Sequence, residues 1–329
     1  MKKIIAIIAG GDSSEHGVSM RSAAGIKSWI DPDNYESYII EVTGQKWEAH
    51  LPSGATAPVY RHNFTFKDEW NRNIRPDFAY ITIHGTPGEN GIMQGYFDLL
   101  NIPYSTSGVL IEALTFNKFV CNQYLKGFGV RVAESLLLRK GQTIASEDVV
   151  SRLGLPCFVK PNDGGSSFGV TKCKATEDIQ PAIEAAFNEG CEVVIESMLS
   201  GTEISNGVFR NIEGKVQVLP ITEVVPETEF FDYDAKYNGK VQEITPARLS
   251  DDTTKRVQTL TAAIYDILGA KGIIRVDYII SKNTEGEDVI NMLEINTTPG
   301  MTATSFIPQQ ARAAGIEMKD MLTAVIEQA

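Results

Sequence analysis

The chain has 329 residues, of which 43% are hydrophobic by type and 22% charged, and 42 acidic against 30 basic side chains give a formal net charge of -12. That length exceeds what one core usually fills and predicts roughly two or three domains; the acidity argues against non-specific nucleic-acid binding, while a local basic pocket can still take phosphates. No apolar run reaches membrane-spanning length, IIAIIAG lacks a cleavage pattern, and Cys121, Cys157, Cys173 and Cys191 show no C-x-x-C spacing, so the expectation is a soluble cytoplasmic protein with reduced, structural thiols.

The first element, KKIIAIIAGG, is an apolar strand running into Gly10-Gly11, and residues 18–30 follow with apolar side chains at helical spacing and Ser13 or Ser14 as the expected cap. Further strands are expected at 38–42 and 78–83, the second ending at His84-Gly85, with a helix over 93–100. Alternation of this kind predicts an open, mainly parallel sheet with ligands at the carboxyl ends of its strands. The stretch 44–75 is polar, has scattered aromatics and weak periodicity, and reads as irregular or hairpin-forming surface. NIPYSTSG, residues 101–108, has the proline and small residues of a crossing between domains. A helical segment over 109–128 follows, then strands at 131–138, 156–160, 170–173 and 193–196 with a helix over 179–188. Beyond Gly201 come a strand-rich section, a helix over 253–268, two strands and a final helix, so the expected divisions are 1–108, 109–200 and 201–329.

FVKPNDGGSSFGVTK, residues 158–172, has the glycines of a phosphate loop but places Lys160 before them. A Walker loop puts its lysine where a helix begins. Here both flanks read as strands, so the glycines form the tip of a hairpin. Lys160 follows an apolar strand directly, unlike Lys118 and Lys236, for which a solvated position is the plainer reading. Three such cations spread along a triphosphate would match its charge.

Arg275 and Asp277 in GIIRVDYII, and Glu294 and Asn296 in INMLEINTTPG, are spaced i, i+2, which puts each pair on one strand face. SKNTEGED between the two strands predicts an antiparallel hairpin on which the four polar groups converge. Convergent buried acids need a cation, and Asp277, Glu294 and Asn296 offer only oxygen, which suits magnesium bridging phosphates and not zinc. The competing reading is that Arg275 simply pairs with Asp277 or Glu294 on a solvated face. Glu196 and Glu203 in VVIESMLSGTE are either acceptors for an adenine amino group and a ribose hydroxyl or an exposed strand end. Glu15 in GGDSSEHGVS and His84 in HGTPGENG sit at carboxyl ends of expected parallel strands. Glu15 can bind an ammonium and also cap its helix; His84 can hydrogen-bond an acyl oxygen or serve structure alone.

Read in order, GGDSSEHGVS, HGTPGENGIMQG, VKPNDGGSSFGV, DYDAKY, and IRVDYII with LEINTTPGMTATS closely resemble the signatures of the D-alanine:D-alanine ligases, a family of the ATP-grasp superfamily, over nearly the whole chain. The resemblance implies an α/β (α+β) protein: an ATP-grasp fold preceded by an N-terminal open parallel α/β substrate domain. The lid would lie in the central ATP-grasp subdomain, and the metal and carboxylate sites in the C-terminal one. It implies that ATP phosphorylates the carboxylate of a first D-alanine and that the amine of a second attacks the acyl phosphate, giving ADP, phosphate and the dipeptide of peptidoglycan. Two magnesium ions, or manganese, are implied, with a monovalent cation as a further candidate. So are a homodimer, a cytoplasmic location, and no nucleic-acid or membrane partner.

Carried over residue by residue, the resemblance gives Glu15 the first substrate's ammonium and His84 its acyl oxygen, while Ser166 and Tyr237 link lid, second loop and substrate. Arg275 and the Gly300 N–H form the oxyanion site; Ser305, helped by Lys236, takes the second substrate's carboxylate beside Phe306. Lys118, Lys160, Ser167 and Lys236 contact the nucleotide, Glu196 the adenine and Glu203 the ribose. Asp277, Glu294 and Asn296 hold the metal ions. Once closed, the lid excludes water that would hydrolyse the acyl phosphate.

Three residues depart from the family pattern: Asn90 where aspartate is usual, His16 where arginine is common, and Phe306 where leucine is common. Phe306 narrows the second-substrate pocket, and Tyr237 favours an amine acceptor over D-lactate. A depsipeptide ligase or another ATP-grasp carboxylate-amine ligase is the competing enzyme. A nucleotide-binding module without turnover is the non-enzyme alternative, and intact Arg275, Asp277, Glu294 and Asn296 speak against it.

Overall fold

The computed structural model describes residues 2–164, 169–226 and 241–329. Its first part comprises β1 (Lys3–Gly10), α1 (His16–Trp29), β2 (Tyr35–Thr43), β3 (Lys46–His50), β4 (Thr56–Pro58), the short strands β5 (Phe66–Lys67) and β6 (Asn73–Ile74), β7 (Phe78–Ile81) and α2 (Ile92–Leu100). The sheet order is β4-β3-β2-β1-β7, with β1 parallel to both β2 and β7. Ile5, Ile7 and Ala9 face one core with Ala23 and Ile26 of α1; Ala6 and Ile8 face the other with Met93 and Phe97 of α2. A central strand covered on both sides explains the uninterrupted apolar run. Gly10 turns the chain out of β1 at φ 94, and a Cβ there would stand 2.6 Å from the Val42 carbonyl oxygen, so only glycine fits.

The expected cap of α1 is not formed. Glu15 occupies the N-cap position without a side-chain cap. Ser13 accepts the Glu15 N–H at 3.2 Å and donates to the His84 carbonyl at 3.1 Å, tying the loop after β1 to the loop after β7. In the stretch 44–75, β3 and β4 extend the sheet as antiparallel strands. Its aromatics are not scattered, since Trp47 and Phe64 pack edge-on with Tyr96, and Phe64 also with Phe97 of α2.

The single helix expected over 109–128 is two, α3 (Val109–Phe116) and α4 (Lys118–Lys126). Asn117 stays extended between them and its Oδ1 accepts the Val120 N–H at 2.9 Å, so a capping residue divides the segment. There follow β8 (Ser135–Arg139), α5 (Ser146–Leu153), β9 (Cys157–Pro161), β10 (Thr171–Cys173), α6 (Ile179–Glu189) and β11 (Glu192–Ser197), with sheet order β10-β9-β11-β8 and antiparallel pairing throughout. The hairpin expected around the glycines is β9–β10, with Val159 opposite Thr171.

The last part holds β12 (Thr202–Arg210), β13 (Val216–Val218), β14 (Thr222–Pro226), β15 (Val241–Ile244), α7 (Asp251–Leu268), β16 (Ile274–Lys282), β17 (Asp288–Asn296), α8 (Phe306–Ala313) and α9 (Met318–Glu327). Its sheet runs β15-β14-β12-β16-β17, with β13 paired to β12. Two helices stand where one final helix was expected. Met321, Leu322 and Val325 of α9 return to the core under Ile5 and Ile7 of β1, so one apolar cluster joins both ends of the chain. Among the described residues no helix is long and apolar enough to cross a membrane.

Candidate active site

A cleft of about 1580 Å³ is lined from all three principal sheets. Every site residue expected from sequence within the described range lines it. Glu15 and His84 come from loops of the first sheet, and Lys118, Lys160 and Glu196 from α4, β9 and β11. Glu203, Arg275, Asp277, Glu294, Asn296, Gly300, Ser305 and Phe306 come from the last part of the chain. Ser166, Ser167, Lys236 and Tyr237 lie outside the described residues.

The hairpin β16–β17 forms as alternation predicts, with Asp277 opposite Glu294 and Arg275 opposite Asn296, and a bulge follows directly at Asp277/Tyr278. Arg275 grips Asp277 with two prongs, Nε to Oδ1 at 2.9 Å and Nη2 to Oδ2 at 2.8 Å. Ser205 donates to Oδ1 at 2.6 Å and the Asn296 amide to Oδ2 at 3.1 Å. Burial by itself would lower the Arg275 pKa, but the charge and hydrogen bonds of Asp277, with Glu294 and Glu89 behind them, hold it above the ordinary arginine value. The arginine–aspartate pair of the plainer reading is therefore real, but its side chains are only 17% and 9% exposed, so the face is not solvated. The four bonds occupy about all the lone-pair sites of one carboxylate. An oxygen-only set of Asp277, Glu294 and Asn296 fits magnesium in ligand type, and a cation held there would compete with Arg275 for Asp277. Among the described residues no group of three His, Cys, Asp or Glu side chains is arranged to hold a metal, as expected where one ligand is an asparagine.

Lys160 and Glu196 form a second buried ion pair, Nζ to Oε2 at 2.6 Å, and the Asn122 amide donates to the other carboxylate oxygen at 3.3 Å. Lys118 Nζ donates to the Gly164 carbonyl at 2.5 Å, which places it at the root of the glycine-rich segment. Asn162, fully buried, accepts the Phe119 N–H at 2.8 Å and donates to Glu192 at 2.7 Å, docking the start of α4 on the exit of β9.

At the other side of the hairpin, Ser305 is the N-cap of α8 but spends its hydroxyl on Thr302, accepting the Thr302 N–H at 3.0 Å and lying 2.8 Å from its Oγ1. A Cβ on Gly300 would stand 2.9 Å from Ser305 Oγ, so the backbone of one residue lies directly against the side chain of the other. The Arg275 guanidinium lies 5.3 Å from the centre of the Phe306 ring, a cation–π contact.

Some contributors were not singled out in the sequence. Ser205 stands opposite Asp277 in register and two residues after Glu203, so strand alternation could have found it. Glu89 lies inside the HGTPGENG motif; it accepts the Gly85 N–H at 2.7 Å and the Thr298 N–H at 3.4 Å, and burial raises its pKa. Two of the three departures from the family pattern do not line the cleft. His16 turns to Glu41 and Thr43, both at 3.3 Å. Asn90 donates to Thr86 at 3.0 Å and accepts the Ile92 N–H at 3.3 Å, a role an aspartate acceptor could share in part.

The "D-ala D-ala ligase N-terminus" model matches residues 4–107 and the "D-ala D-ala ligase C-terminus" model residues 124–327. The chain belongs to the D-alanine–D-alanine ligase family. A D-alanine–D-alanine ligase of Phocaeicola vulgatus is 64% identical over 327 residues, with 99% of each chain covered, and one of Porphyromonas gingivalis is 52% identical with 99% of this chain and 97% of that one covered. Among solved structures, the VanG D-Ala:D-Ser ligase of Enterococcus faecalis superposes with a TM-score of 0.85 at 30% identity over 99% of both chains. A Bacillus anthracis D-alanine–D-alanine ligase gives 0.80 at 30% identity over 99% of this chain and 96% of that one. Like other members of this family, the chain has the ATP-grasp fold behind an N-terminal α/β region.

Proposed function

We infer that this family member joins two D-alanine molecules in an ATP-dependent reaction, supplying the dipeptide of peptidoglycan. ATP phosphorylates the carboxylate of the first, and the amine of the second displaces phosphate from the acyl phosphate. The observation that carries this reading is the hydrogen-bonded Arg275–Asp277–Asn296 set on β16–β17, opening into the same cleft as the buried Lys160 and Glu196.

Glu15 receives the first substrate's ammonium, His84 its acyl oxygen, and Ser166 with Tyr237 completes the closure over it. Arg275 and the Gly300 N–H serve as the donors to the oxyanion of the tetrahedral intermediate. Ser305 and Lys236 hold the second carboxylate. The contact between Ser305 and Gly300 supports this, because it sets the acceptor's binding group next to the oxyanion donor, with the start of α8 adding a favourable dipole. Lys118, Lys160 and Ser167 take the nucleotide phosphates, Glu196 the adenine and Glu203 the ribose. Asp277, Glu294 and Asn296 would hold magnesium, two ions in this reading, with manganese as a substitute; the ions supply charge neutralisation for the transferred phosphoryl group. A monovalent cation is a further candidate.

The organisation proposed is 1–108, 109–200 and 201–329, and each principal sheet falls inside one of these ranges. A homodimer is supported by exposed Ile92 and Leu99 on α2 beside exposed Val109 and Leu110 on α3, apolar side chains that a monomer would leave in water. A cytoplasmic location accords with substrates made and used inside the cell.

Product analysis by mass tests the reading. With ATP, magnesium and D-alanine the product should be the D-alanyl-D-alanine dipeptide, and with D-serine or D-lactate added in equal amount the dipeptide should still dominate. Phosphate release without dipeptide, or a mixed product in excess, would contradict it.

A further inference from the structure

Glu112 has no part in the reaction as described, yet it is a carboxyl group with no exposed surface, carried on α3. Its Oε2 accepts the Thr297 hydroxyl at 2.5 Å, and its Oε1 is buried without a hydrogen-bond partner among the described residues. An unpaired buried carboxyl oxygen is costly, and an apolar side chain on α3 would avoid it. Burial drives the carboxyl well above the ordinary carboxylate range, against the pull of the Thr297 bond and of the nearby Ser107 backbone N–H and hydroxyl, and with Glu89 adding to the rise. Glu112 is thus a buried hydrogen-bonding group beside the cleft, which it does not line.

Thr297 directly follows Asn296 and stands three residues before Gly300. Its neighbour Thr298 is tied as well, its N–H to Glu89 Oε1 at 3.4 Å and its hydroxyl to the Ile83 carbonyl at 3.1 Å. The turn out of β17 therefore has anchors on the loop after β7 and, through Glu112, on the helix α3. We propose that Glu112 is a positioning residue: through the Thr297 hydroxyl it fixes the turn out of β17, and with it the spacing between Asn296 and the Gly300 N–H. The inference rests on the oxyanion role given to Gly300 in the proposed function. A displacement of about 1 Å arising away from the chemistry can cost about 100-fold in rate, which is the scale on which such an anchor matters.

Steady-state dipeptide formation by Glu112→Leu, Glu112→Gln, Thr297→Val and Thr297→Ser tests the proposal. Glu112→Leu and Thr297→Val should each lower kcat by about tenfold or more and leave the KM for ATP within about twofold, because Lys160 and Glu196, given the phosphates and the adenine, lie on another sheet. Glu112→Gln and Thr297→Ser keep a hydrogen-bonding partner and should stay within about threefold of the parent. The Glu112→Leu/Thr297→Val double variant should be no slower than the slower single variant, as coupled residues are not additive. Full kcat in Thr297→Val, a KM for ATP that rises as kcat falls, or multiplied losses in the double variant would overturn it. If Glu112→Leu lacks a cooperative thermal transition, the two Thr297 variants decide alone. A parent enzyme that makes no dipeptide overturns the ligase reading and this inference with it; a parent that makes it beside a fully active Thr297→Val overturns only the role of Glu112.

Discussion

Two buried ion pairs face the same cleft and are built differently. Lys160 and Glu196 meet across neighbouring antiparallel strands through one ammonium contact, whereas Arg275 and Asp277 share a strand and meet through a planar fork, with Ser205 and Asn296 closing around the carboxylate. An ammonium on a flexible stem can pivot to a new partner, and a guanidinium held by two prongs cannot without losing both. The lysine pair therefore suits gripping a polyanion that arrives and leaves, and the arginine pair suits fixing charge where it develops during reaction.

The largest effect should fall on the hairpin that carries the fork. Glu294→Gln should lower turnover by about 1000-fold or more with the thermal transition kept, since it removes a charge that no other residue opposite Asp277 supplies; turnover near the parent's would take Glu294 out of the chemistry. Arg275→Lys retains charge but not the fork and should lower kcat by about 100-fold with little change in KM for ATP. At the other pair, Glu196→Gln should act the opposite way, raising the KM for ATP about tenfold and kcat hardly at all. It should also cost about 3 kcal/mol of stability by leaving Lys160 buried and unpaired, read from a denaturant midpoint. A Glu196→Gln enzyme changed in kcat alone would erase the distinction between the two pairs.

A smaller effect is expected from pH. The folded-state pKa of Glu112 lies above its ordinary 4.5, so the folded protein holds a proton that the unfolded chain releases. Stability is then lost as pH rises from 4.5 towards the folded pKa. Glu112→Gln abolishes that loss, so its thermal midpoint should match the parent's near the low end of this window and exceed it increasingly above; a constant offset would place an ionised Glu112 in the fold. The smallest change should come from Phe306→Leu, which removes the ring over Arg275 and widens the acceptor pocket. Use of D-serine relative to D-alanine should rise less than about tenfold, the scale of small volume changes in a pocket.

Much of this was legible in the chain because strand periodicity and strand ends are local signals. Alternation placed Arg275, Asp277, Glu294 and Asn296 on one hairpin face, and the apolar run before Lys160 placed it on a strand. The missed features are long-range. Nothing local marks Glu112 of α3 as the partner of Thr297, 185 residues away, or Ser13 as a link to His84 instead of a helix cap. The break at Asn117 was readable in principle, since asparagine caps helices, but the apolar spacing on both sides outweighed it. α5 was missed because SEDVVSRL is only eight residues long and its apolar face is just Val149, Val150 and Leu153, too short a run to establish a helical period.

The acyl phosphate is the centre of the account, and isotope transfer tests it directly. D-alanine labelled with oxygen-18 in its carboxylate is supplied with ATP and magnesium, and the released phosphate is analysed by mass. One labelled oxygen should pass from each reacting carboxylate into inorganic phosphate, in step with dipeptide formed. Dipeptide made with unlabelled phosphate would contradict the mechanism.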